Sequence, residues 1–118
     1  MINGLHSVIF SSDAEGVRAL LRDVLGFASV DAGGGWLIFA LPPAELAVHP
    51  SETGGRHELY LMCDDLHATM EELSRRGVEF ACPVREERWG LLTAIKLPGG
   101  VELGLYEPKH ASPLTRAG

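Results

Sequence analysis

HELYLMCDDLHATMEELSRRGVEF, residues 57–80, carries the signals that decide the fold. Residues 57–63 read as a strand. Asp64 or Asp65 then caps a helix whose apolar stripe is Leu66, Met70 and Leu73, and Gly77 stops it. The same order stands upstream, in LHSVIFSSDAEGVRALLRDVLGF, residues 5–27. Residues 5–11 are apolar and β-branched, as strands are. Ser12 and Glu15 have capping-box spacing, and Val17, Leu20, Leu21, Val24 and Leu25 recur at helical spacing before Gly26. His6 and His57, Asp13 and Asp64, and Gly26 and Gly77 all stand 51 positions apart. Matching landmarks at one offset point to an internal duplication.

Shorter strands follow each helix. In the first half they are expected at 27–31, 35–41 and 45–49, broken by the glycines 33–35 and by Pro42-Pro43. In the second half they are expected at 78–80, 84–87, 91–97 and 101–106, with Pro98-Gly99-Gly100 turning the last two into a hairpin. One strand, one helix and a run of short strands thus occur twice, three strands in the first half and four in the second. The fold class is α+β, in one domain over 1–108, with modules of about 4–50 and 56–107. Residues 109–118, KHASPLTRAG, read as a flexible tail.

Composition sets the outer limits. With 118 residues, 46% of them apolar and 22% charged, the chain suits one folded domain and not a disordered segment. A domain of this length can bury roughly two thirds of its unfolded surface, so neither disulfide nor metal is needed for folding. The formal net charge is −6, and Lys and Arg do not cluster. Nucleic acid and anionic membranes are therefore not expected partners. The start, MINGLHSVIF, lacks the basic and long apolar regions of a signal peptide. A cytoplasmic location is expected, with Cys63 and Cys82 as reduced thiols.

These stretches together resemble the vicinal oxygen chelate superfamily, which includes glyoxalase I, extradiol dioxygenases, fosfomycin-resistance enzymes and bleomycin-resistance proteins. The likeness is carried by LHSVIFSSD, LLRDVLGF, HELYLMCDDL, ELSRRGVEF and the closing LPGGVELGLYEP, and spans residues 4–108. It implies two βαβββ modules whose sheets curl around a cleft, with a divalent metal (Fe, Mn, Ni or Zn) on the cleft side. Carried over position by position, the ligands fall on His6, His57 and Glu102. Some members add a glutamate from the fourth strand; here AELAVHP places His49 or Ala47 at the nearest inward position. Small relatives usually dimerise, some with modules exchanged, so a homodimer is expected.

The residues themselves are compatible with such a site. Strand side chains alternate between faces, so His6, Val8 and Phe10 share one, as do His57, Leu59 and Leu61, and Glu102, Gly104 and Tyr106. Two imidazoles and a carboxylate leave open positions on a divalent metal. A substrate chelated there through neighbouring oxygens would meet a Lewis acid that eases deprotonation. Tyr106 and His49 are the candidate catalytic groups beside it. This reading makes the chain a metal-dependent lyase or dioxygenase. The alternative is a metal-free, bleomycin-resistance-type protein that sequesters a small, cationic, drug-like ligand. Trp36 and Trp89 read as partly buried packing residues, and His67 and His110 as solvated.

Overall fold

The structure, a computed structural model, describes residues 6–45, 47, 50, 52, 57–111, 113 and 114. Helix α1 spans Ala14–Ala19 and runs on into a π-helical turn, Leu20–Val24. A two-stranded antiparallel hairpin follows, β1 (Ser29–Asp31) and β2 (Leu37–Phe39). The second half contains β3 (Tyr60–Met62), α2 (Leu66–Arg75), β4 (Arg85–Glu87), β5 (Gly90–Leu97) and β6 (Val101–Pro108). Its sheet has the order β3-β6-β5-β4. The last strand is therefore internal: β6 runs parallel to β3 on one side and antiparallel to β5 on the other. The fold is α+β with two sheets, as the sequence predicts.

Local chemistry explains where the helices begin and end. The Asp65 carboxylate accepts from the Ala68 amide at 3.0 Å, and that of Asp13 from the Gly16 amide at 3.0 Å. The first cap is thus Asp13, not Ser12. Both neighbouring serines turn instead to the β5–β6 turn, where Ser11 donates to the Pro98 carbonyl at 2.7 Å and Ser12 to that of Gly99 at 3.4 Å. Gly26 and Gly77 end the helices in the left-handed region, at φ 74° and 85°. Gly26 comes 13 positions after its cap and Gly77 only 12 after its own. The first helix carries one extra residue between equivalent signals, and the π turn absorbs it.

One face of the larger sheet is the core. Alternation turns Ile95, Leu97, Leu103 and Leu105 toward the helices, where they pack with Val17, Leu66, Leu73 and Val78. Leu20, Leu21, Val24 and Leu25 pack at its edge, as their helical spacing predicts. Arg76 links the two halves by donating to the Val24 carbonyl at 3.0 Å.

Several expected strands are shorter or missing. Residues 6–11 form no strand, although their composition is strand-like, because among the described residues no strand offers them a backbone ladder. Val8 and Phe10 stay exposed, Phe10 at 86%. Residues 78–80 give only a single bridge, Phe80 to Ile95. Of the strand expected at 45–49, Glu45 and Ala47 are not in a strand, and residues 46, 48 and 49 lie outside the described residues. Among the described residues, no helix is long and apolar enough to cross a membrane.

Candidate ligand-binding face

The other face of the larger sheet is built by the even-numbered residues of β5 and β6. Leu92 stands opposite Tyr106, Ala94 opposite Gly104 and Lys96 opposite Glu102. On the far side of β6, Tyr60 pairs with Gly104 and Met62 with Tyr106. Gly104 is needed there. A Cβ on it would overlap the Tyr60 ring, so its absence lets that ring lie down across β6.

Three aromatic rings meet as a result. Tyr60 and Tyr106 lie 5.6 Å apart between centroids, Trp89 and Tyr106 5.5 Å, and Tyr60 and Trp89 6.2 Å. All three pairs are edge-to-face, the arrangement favoured by ring quadrupoles. Trp89 reaches the group from the turn between β4 and β5, and keeps 39% of its surface exposed.

Acceptors ring this cluster. The Tyr60 hydroxyl donates to Glu58 Oε2 at 3.1 Å, and that of Tyr106 to Glu45 Oε1 at 2.9 Å. His110 stacks on Tyr106, with centroids 6.1 Å apart and planes 27° from parallel. Its Nε2 lies 3.5 Å from the same Glu45 oxygen. The backbone around His110 is tied down, since the Lys109 amide donates to the Trp89 carbonyl at 2.8 Å. Glu107 anchors the neighbouring stretch by accepting from the Leu66 amide at 2.9 Å and the Lys109 ammonium at 2.6 Å. Those bonds, the Lys109 one first, hold its carboxyl below the usual glutamate range. Burial pushes the Cys63 thiol up, which fits an inert core thiol better than a nucleophile.

The sequence-predicted ligands are dispersed in this frame. Glu102 is on the aromatic face, two positions along β6 from Gly104 and opposite Lys96. His57 is exposed and three residues short of β3, and His6 is exposed in the segment that pairs with no strand. Among the described residues, no three His, Cys, Asp or Glu side chains gather closely enough to hold a metal ion. Neither His6 nor His57 lies in a strand, whereas Glu102 lies in β6. Tyr106, the other expected site residue, lies at the centre of the aromatic group, and His49 is outside the described residues.

Similar solved structures agree on the architecture. TnmS3, an antibiotic binding protein from Streptomyces sp. CB03234, is 27% identical with a TM-score of 0.59, over 84% of this chain and 89% of that one. A glyoxalase/bleomycin resistance protein/dioxygenase superfamily member from Sphaerobacter thermophilus DSM 20745 is 24% identical with a TM-score of 0.61, covering 90% and 98%. The chain has the fold of the glyoxalase/bleomycin resistance protein/dioxygenase, or vicinal oxygen chelate, superfamily. A lactoylglutathione lyase from Agrobacterium tumefaciens shares the vicinal oxygen chelate fold at 14% identity and a TM-score of 0.63, covering 89% and 92%. No protein-family model and no curated protein matches the sequence. Divalent metals are common in vicinal oxygen chelate proteins.

Sequence reasoning passed over Tyr60, and read Trp89 as a packing residue and His110 as solvated. One usable signal was present. Tyr60 is an aromatic residue at an alternate strand position, and a glycine interrupts the apolar run of the last strand at 104. A glycine inside a strand often marks where another group approaches closely.

Proposed function

We propose that this chain is a binding protein that holds a small planar molecule on the Tyr60–Trp89–Tyr106 face without transforming it. The observation that carries this reading is the convergence of three rings on one sheet face, while among the described residues no three metal-ligating side chains converge. The antibiotic-binding neighbour TnmS3 supports it. The charge of the ligand follows from the hydrogen bonds. Both tyrosine hydroxyls spend their protons on carboxylates, so the face offers acceptors and π-surfaces. A planar organic cation complements such a face, and the net charge of −6 favours its approach.

The assembly is a homodimer. Its motive is the exposed apolar surface of the first half, where Val8, Phe10, Val30, Trp36 and Leu41 are all uncovered. Sedimentation should give about twice the 12.7 kDa chain mass. Phe10→Asp should lower it toward the single chain.

Tryptophan fluorescence tests the binding reading. Titration with 9-aminoacridine, a planar cation, should quench saturably. Trp36→Phe should keep that response and Trp89→Phe should lose it. Gly104→Ala, which displaces the Tyr60 ring, should weaken binding about tenfold, the equivalent of roughly 1.4 kcal/mol. Protein purified without chelator should carry metal well below one ion per chain. Stoichiometric metal that is lost in His57→Ala would return the chain to the metal-dependent enzymes, with donors supplied across two protomers.

A further inference from the structure

The tail segment crosses the face just described, and its geometry is that of an occupant. The Lys109 amide is fixed to the Trp89 carbonyl. His110 then lays its imidazole nearly parallel to the Tyr106 ring, the orientation a bound planar molecule would take there. Tyr106, at the centre of the group, is only 7% exposed. On its other side His110 faces Glu45, from the segment after β2, through Nε2 at 3.5 Å. The Tyr106 hydroxyl approaches the same nitrogen at 3.4 Å.

We infer that residues 109–111 form a pH-responsive strap, with the His110 ring as an internal stand-in that a ligand must displace from Tyr106. This rests on the binding reading above for its ligand. The fastening itself does not.

The response to pH follows from which nitrogen carries the hydrogen. Nδ1 lies 2.8 Å from the Ala111 carbonyl, which can only accept, so Nδ1 is the protonated nitrogen of the neutral ring. Nε2 is then left with a lone pair toward a Glu45 oxygen. Protonation converts that opposition into an N–H aimed at a carboxylate, and a cation over the Tyr106 ring. Among the described residues, the charged and titratable groups facing His110 are Glu45 and the Tyr106 phenol. On its own segment, Lys109 is engaged by Glu107, and Asp65 and Glu86 lie near that ammonium. The strap therefore closes when the imidazole takes up a proton and loosens when it gives the proton up.

Limited trypsin cleavage after Lys109, followed by mass spectrometry on the full chain, reads the fastening without any ligand. At pH 6 the protein should be cut there several-fold more slowly than His110→Ala, and the ratio should narrow by pH 8. His110→Phe keeps the stacking and should be protected at both pH values. Equal cleavage of the wild type and His110→Ala at pH 6 overturns the strap. In parallel, 9-aminoacridine should bind His110→Ala several-fold more tightly than the wild type. Equal affinities would overturn the displacement of His110 by ligand. No response from either protein would sink the binding reading, while the cleavage ratio still decides the fastening.

Discussion

The two halves of the chain begin from matching signals and end in different states of completion. In the second half a capped ten-residue helix covers a four-stranded sheet, and its apolar stripe is buried. In the first half a six-residue helix passes into a π turn, residues 6–11 lie in no strand, and the hairpin has two strands of three residues. Such a hairpin is marginal alone in water. The difference lies in partners and not in local propensity. The second half supplies its own sheet neighbours, whereas the first leaves Val8, Phe10 and Val30 for something else to cover.

The largest test of that contrast is a pair of truncations. Ile95→Ala removes a side chain with no exposed surface and should cost 2–5 kcal/mol, roughly, in denaturant unfolding. Phe10→Ala should cost no more than about 0.5 kcal/mol in a lone chain. A larger loss that grows with protein concentration would show Phe10 buried against a second copy.

The helix caps give a smaller comparison. Removing the Asp65 carboxylate with Asp65→Ala should cost about 1 kcal/mol, because α2 lays Leu66 and Leu73 into the core. Asp13→Ala should cost less, since α1 buries only Val17 and frays at little expense. If the midpoints fell equally, the two helices would be equally committed to the core.

The smallest effect concerns pH. Glu107 ties the start of α2 to the end of β6, and its carboxyl titrates below the usual range chiefly because of Lys109, then the Leu66 amide. A group depressed by folding adds stability above its unfolded value, near 4.3 for glutamate, and loses it as pH falls through the folded value. The Tm of the wild type should therefore decline below about pH 4.5, with Glu107→Gln showing a shallower slope. Parallel slopes would mean that this tie adds nothing.

Legibility in the sequence followed the same divide. Asp65, Gly77 and Pro98-Gly99-Gly100 mark their elements closely, because a cap or a turn is settled by a few adjacent residues. The segment 5–11 has strand composition, yet a strand also needs a ladder partner, which no composition supplies. The candidate site was hidden for a related reason. Tyr60 and Tyr106 meet only because β3 and β6 are parallel and in one register, a relation spanning more than forty residues. His6, His57 and Glu102 read as a set through matching positions, but convergence at a metal is decided by where their backbones travel.

The internal place of β6 has a consequence for synthesis. Until the final strand has cleared the ribosome, β3 and β5 have no common neighbour and the core side chains of β5 have no complete wall. The nascent chain must therefore wait with much of its greasy surface uncovered, and truncation before Val101 would leave two unjoined edges inviting aggregation.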